Sequence, residues 1–186
     1  VMPEIIKSGQ LCSVDQKNIL FGISNIISSI DYIEAHKVPS YLVSFDMFKA
    51  YDRVMLDYLV KVLAAMKFPA VFIQWIEMLH EGATTCFLLN VLTQPMRVLF
   101  SIRQGDPLSM LLYIIYIEPL LLMIRRKTRG LSISFFVQKD DDYCDDLNFL
   151  SESEDDLLKI DDVFVKFENI SGAILSRSWK SKVMGL

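Results

Sequence analysis

The chain has 186 residues, 52% of them hydrophobic, with a formal net charge of −4 and a pI near 5.2. That is one domain-sized unit, large enough to bury a core and too apolar to be disordered. The acidity argues against a freestanding nucleic-acid binder, which is usually basic.

No internal repeat or low-complexity linker stands out, and no signal peptide is visible at the start. Val14 to Ile33 carries Ile19, Ile23, Ile26, Ile27 and Ile30 at helical spacing. Tyr41 to Phe45 is a continuous apolar run of strand length. Asp57 is placed to cap the next helix, with Leu59, Val62, Leu63 and Met66 as its buried stripe. Pro69 breaks that helix and opens another, with Phe72, Trp75, Ile76 and Leu79 inward and Gly82 at its end. Thr85 to Val91 and Met96 to Ser101 read as two strands joined at Leu92-Thr93-Gln94-Pro95. Pro107 opens a long apolar helix. Its most apolar run, Met110 to Ile124, contains Glu118-Pro119 and is too short and interrupted for a membrane span; it suits a buried helix. Leu131 to Val137 is strand-like, and Asp142 to Leu150 reads as a tight hairpin. Ser153 with Asp156 resembles a capping box. Leu157, Ile160, Phe164, Phe167 and Ile170 follow at helical spacing until Gly172. The layout is α+β, with helices on one face of an antiparallel sheet. Cys12, Cys86 and Cys144 form no C-x-x-C pair, which fits a reducing intracellular setting, cytoplasm and/or nucleus, with Cys12 and Cys86 as buried thiols.

Two segments end in carboxylates that packing does not demand. Tyr41-Leu42-Val43-Ser44-Phe45-Asp46 closes an apolar run on an acid, and Tyr143-Cys144-Asp145-Asp146 sets paired acids at a turn. Burying an acid is costly unless a cation meets it. Two carboxylates about 4 Å apart repel by roughly 4 kcal/mol at an effective dielectric near 20. Divalent metal removes that cost, and the matching chemistry is two-metal phosphoryl transfer. The bland alternatives are a helix N-cap or surface acid at Asp46 and a solvated acidic turn at Asp145-Asp146, the latter strengthened by Asp140, Asp141 and Asp142 just upstream.

Phe45-Asp46-Met47-Phe48-Lys49-Ala50-Tyr51-Asp52 resembles the first palm motif of reverse transcriptases of non-LTR (LINE-type) retrotransposons, F-D-x-x-K-A-F/Y-D. Arg103-Gln104-Gly105-Asp106-Pro107-Leu108-Ser109 resembles the second, R-Q-G-x-P-L-S. Tyr143 to Asp146 is similar to the third, Y-x-D-D, and Ser171-Gly172-Ala173 to the start of the fourth. They stand in family order and span nearly the whole chain. The resemblance implies a right-hand polymerase palm, ferredoxin-like, over residues 41–186, preceded by partial fingers or a lead-in helix over 1–40. Thumb and endonuclease are absent from the stretch, so it reads as part of a longer protein, incomplete as an isolated enzyme and a poor nucleic-acid binder alone.

The resemblance also implies roles. Asp46 and Asp145 are the principal metal ligands, with Asp146 in support and the Met47 carbonyl assisting. Two magnesium ions are expected, since the donors are hard oxygens, with manganese as a substitute. Tyr51 lies beneath the incoming sugar and excludes a ribose 2′-hydroxyl; the alternative is a core aromatic. Arg103, Gln104 and Gly105 face template and nucleotide; the alternative is a plain glycine turn, with Arg103 paired to Asp106. Trp179 stands where the fourth motif has its first lysine, leaving Lys180 as the candidate near the leaving pyrophosphate. Arg125, Arg126, Lys127 and Arg129 either contact RNA or complement a helix dipole. Met110 replaces a second proline. The partners implied are an RNA template, a DNA primer, deoxynucleoside triphosphates and the rest of the longer protein, with no membrane. The rival readings are a decayed, non-catalytic remnant and a relative that only binds RNA.

Overall fold

The structure is a computed structural model that describes Ile6 and residues 19–98, 101–103, 105–133, 136–138, 140–143, 146–177 and 182–185. Five helices are described: α1 Ile19–His36, α2 Leu56–Ala65, α3 Ala70–His80, α4 Pro107–Lys127 and α5 Glu154–Ser171. The four-stranded sheet is built from β1 Tyr41–Asp46, β8 Asp140–Tyr143, β9 Asp146–Ser151 and β10 Lys182–Gly185, in the order β10-β1-β9-β8 with every pair antiparallel. Three separate two-stranded sheets accompany it: β2 Thr84–Thr85 with β5 Met96–Arg97, β3 Leu88–Leu89 with β4 Val91–Leu92, and β6 Leu131–Ile133 with β7 Phe136–Gln138.

The strand period of two separates the two faces of the sheet. Phe45 meets Phe149 and, on α5, Phe164, with ring centroids 5.8 and 4.7 Å apart. This face joins α2, α4 and α5 in the main core, where Leu59, Leu63, Ile114, Ile117, Leu120 and Phe164 are fully buried. Leu42 and Leu150, one residue out of phase, pack with Ile33 and Val38 at the end of α1. Asp46 shares the parity of Leu42, so it lies on the face turned away from the main core.

Several local expectations hold. Pro107 is the first residue of α4, and Asp106 caps it by accepting from the Leu108 amide at 2.9 Å. Gly172 stops α5 in the left-handed region at φ +81°. Leu59, Val62 and Leu63 are the buried stripe of α2. The acidic residues Asp140 to Asp142 do form a strand, paired to Leu147–Phe149 of β9, so the expected hairpin is present.

Others are corrected. Met55, not Asp57, precedes α2, and it makes no side-chain cap. Ile23 and Ile27 on α1 are exposed, as are Trp75 and Leu79 on α3. The expected pair of strands from Thr85 to Ser101 is a nested arrangement: β2 and β5 enclose a tight β3–β4 hairpin turning at Asn90, whose φ of +62° suits asparagine. Asp156 does not close a capping box. Ser153 accepts from the Asp155 amide, while the buried Asp156 carboxylate accepts from the Arg129 amide at 2.8 Å, beyond α4. Cys86 is exposed rather than buried; Cys12 and Cys144 lie outside the described residues. Helix α4 runs through Pro119 for 21 residues. By length and composition it could cross a membrane. In this fold Leu112 to Ile117 are each at most 2% exposed, and it packs as the central core helix.

Candidate active site

Antiparallel pairing sets the first and third motifs side by side. Asp46 closes β1 and Asp146 opens β9, and the two are register partners. Opposite residues in such a pair lie about 4.5–5.5 Å apart at Cα. Asp46 is half-buried, and its Oδ2 is closed off from solvent. Asp145 lies outside the described residues, as do Gln104, Trp179 and Lys180.

The fourth motif is bound to the first by backbone. The Ser176 amide donates to the Asp46 carbonyl at 2.9 Å, and the Phe48 amide donates to Ile174 at 2.8 Å. Met47 and Leu175 form the bridge between these bonds. Arg53 Nε donates to the Gly172 carbonyl at 3.2 Å. A Cβ at Gly172 would sit 2.6 Å from Met55 Cγ, so glycine is needed there for space as well as for φ. Glu168 accepts from the Leu175 amide at 2.6 Å and from Arg177 at 2.9 Å, holding the segment that lies along Met47.

The second motif reaches the first from the other side. After Met47 the chain turns through Lys49, at φ +48°, into a 3-10 turn at Tyr51–Arg53. The Ile102 amide donates to the Tyr51 carbonyl at 3.1 Å, and Ser101 donates to Val54 at the same distance. This holds the start of α4 against Tyr51. A cavity of about 410 Å³ results, lined by Tyr51, Gly105, Asp106, Pro107, Ser109 and Met110. Gly105 has φ +87°, and a Cβ there would meet no atom within 4 Å. Its role is therefore conformational, and it leaves the backbone open toward the cavity.

Tyr51 is half-buried and stacks on Tyr113 of α4, with centroids 5.0 Å apart and planes at 24°. The core-aromatic reading of Tyr51 thus holds on the side that packs on Tyr113, and the residue also lines the cavity. Arg103 goes elsewhere. It donates to the Leu79 carbonyl at 3.3 Å, at the end of α3, and not to Asp106. Of the basic cluster, Arg125 lies 3.6 Å from buried Glu118 and Lys127 lies 2.9 Å from Asp162.

Sequence reading passed over Tyr113 and Tyr116. Both sit in an apolar run whose helical spacing marks burial but not which neighbour each ring meets. Tyr116 donates to the Ser171 carbonyl at 3.0 Å. Burial pushes its phenol up to about 12, so it remains a donor at any ordinary pH.

Whether these residues suit magnesium rests on donor chemistry. The described part of the site offers a carboxylate at Asp46 and carbonyl oxygens, all hard donors of the type magnesium takes. Among the described residues, no three His, Cys, Asp or Glu side chains form a complete metal cluster. Asp145, outside that set, is the ligand the motif would add.

The chain matches the family described as Reverse transcriptase (RNA-dependent DNA polymerase) over residues 3–184. It is 30% identical over 132 residues to the Transposon TX1 uncharacterized 149 kDa protein of Xenopus laevis, a match covering 70% of this chain and 10% of that protein. The chain thus spans about a tenth of that relative's length. Among solved structures, apo telomerase from Candida tropicalis, truncated from the C-terminal domain, superposes with a TM-score of 0.67 at 17% identity, over 96% of this chain and 36% of that one. Telomerase from Candida albicans in complex with the TWJ fragment of telomeric RNA gives 0.60 at 14% identity, over 95% and 31%. At such identities the likeness is one of fold, the α+β right-hand polymerase architecture.

Proposed function

The chain belongs to the reverse transcriptase (RNA-dependent DNA polymerase) family, and we propose that it is the catalytic palm, with part of the fingers, of a polymerase from a non-LTR retrotransposon. The reaction is attack of a primer 3′-hydroxyl on the α-phosphorus of a deoxynucleoside triphosphate. A P–O bond forms to the primer, the bond to the β-phosphate breaks, and pyrophosphate leaves. The observation that carries this reading is the register of Asp46 with Asp146, which sets two acidic motifs from distant parts of the chain at one sheet end.

Asp46, Asp145 and Asp146, with the Met47 carbonyl, would hold two magnesium ions. When bound, these ions lower the pKa of the attacking hydroxyl and neutralise the leaving group. The chain's own residues do the positioning. Tyr51 forms one wall of the cavity beside the start of α4 and crowds the sugar 2′ position. Gly105 presents backbone to the nascent base pair, and Gln104 is the proposed side-chain contact to template and nucleotide, Arg103 being held at the Leu79 carbonyl. Lys180 is the residue proposed to act near the leaving pyrophosphate. An RNA template, a DNA primer and deoxynucleoside triphosphates are the substrates, and the domain works within a longer polypeptide.

The test is extension of a DNA primer on an RNA template by that longer polypeptide, with and without magnesium. Magnesium-dependent extension is expected. RNA retention without extension would instead favour a binding-only relative, and neither would favour a decayed remnant.

A further inference from the structure

We infer that Tyr113 is a positioning residue for nucleotide selection, acting by holding the Tyr51 ring at the cavity wall. The inference rests on the polymerase reading above and deepens it. Tyr51 follows a turn with a positive-φ residue and a single 3-10 turn, a segment with little regular structure of its own to fix a side chain. A ring lies beneath it. Tyr113 is 1% exposed on the central helix and stacks on Tyr51 at 5.0 Å. Tyr113 is itself backed by Tyr116, with centroids 5.8 Å apart, and Tyr116 meets Tyr58 and Phe167 edge-on at 5.2 and 5.7 Å.

This column of rings ends at the fourth motif. The Tyr116 hydroxyl donates to the Ser171 carbonyl, one residue before Gly172. Tyr51 is thus supported from below by a rigid stack spanning α4 and α5, while its own backbone is held by Ile102. A ring that excludes a 2′-hydroxyl by bulk must be fixed to within a fraction of an ångström, because a small misplacement at a site erodes its selectivity. The stack supplies that restraint without Tyr113 touching substrate.

The experiment measures incorporation of a deoxynucleotide and its ribonucleotide counterpart by the longer polypeptide carrying Tyr113→Leu, Tyr113→Phe, Tyr51→Ala, or Tyr51→Ala with Tyr113→Leu. Tyr113→Phe keeps the ring and should keep wild-type selectivity. Tyr113→Leu should raise KM for the deoxynucleotide and lower discrimination against the ribonucleotide by roughly two- to tenfold, the range of an aromatic pair, with kcat little changed. In the Tyr51→Ala background, Tyr113→Leu should change discrimination no further, because the residue it positions is gone. Tyr113→Met, whose longer, flexible side chain adapts better to the space of the ring, serves if the leucine variant does not fold. Unchanged discrimination in Tyr113→Leu or Tyr113→Met, or an equal effect with and without Tyr51, overturns the inference. A wild-type protein that extends the primer without preferring deoxynucleotides overturns it too. A wild-type protein that extends nothing overturns the polymerase reading on which it stands.

Discussion

Asp46 on β1 and Asp146 on β9 are the last register pair of their ladder. The backbone therefore places the two acids, and the Asp46 carbonyl is also tied to Ser176. Asp46→Asn keeps side-chain shape and disturbs none of those bonds. It should lower primer extension at least about a hundredfold, since it removes charge stabilisation at the reacting phosphate. The melting temperature should barely move. Asp145→Asn should behave alike. Extension and melting measured on one preparation decide this, and a variant that still extends normally removes the residue from the metal site.

Tyr51→Ala should admit ribonucleotides. The residue lines the 410 Å³ cavity with Gly105 and Ser109. Truncation opens space where the 2′-hydroxyl would lie. Competing deoxy- and ribonucleotide incorporation reads the effect directly. An unaltered preference would leave Tyr51 as core packing alone.

What could be read ahead of the structure depended on the range of the physics involved. Pro107 and Gly172 act on their own backbone, so they mark helix ends wherever they fall. Leu59, Val62 and Leu63 repeat at helical spacing and are buried as expected. Periodicity says which residues share a face, but not whether anything covers it. Ile23 on α1 and Trp75 on α3 have the same spacing and are 47% and 59% exposed. Asp156 misled because a capping box is a local pattern, while its carboxylate also takes partners from other elements, Arg129 and Ser151. At the site, the family resemblance implied that Asp46 and the third motif serve one metal site, and the register sets Asp46 opposite Asp146. The stacking of Tyr51 on Tyr113 had no signal, since nothing local pairs residues that far apart in the chain.

Gly172→Ala should destabilise the domain by about 1–2 kcal/mol for left-handed backbone alone, with the clash on Met55 adding to it. For a domain of this size that lowers Tm by about 2–8 °C. Gly172→Asn should cost less than Ala, because asparagine tolerates the left-handed region. Thermal melting of the three proteins tests the order. A stable Ala variant would show that α5 can end without a glycine in the left-handed region.

Asp156 gives the fold a defined acid limit. Burial alone would raise its pKa, but the Arg129 amide, Lys159 and Ser151 more than offset that, and the carboxyl is held below its ordinary 3.8. A carboxylate with a lowered folded pKa stabilises the native state fully above the unfolded value. That contribution is lost as pH falls through the folded pKa. Asp156→Asn keeps the shape and loses the charge, so at pH 7 it should cost about 1.5–3 kcal/mol, the range for a hydrogen bond to a charged group. The gap between wild type and variant should stay constant down to about pH 5 and close below 3.8, as the wild-type carboxyl takes up its proton. Asp162, held at about 2 by Lys166 and Lys127, titrates in the same acid region, but it is exposed and belongs to both proteins, so it cancels in the comparison. Denaturant unfolding at pH 7, 5 and 3 measures the gap. A gap that does not narrow toward pH 3 would mean that the Arg129 amide is held in place by something other than the Asp156 charge.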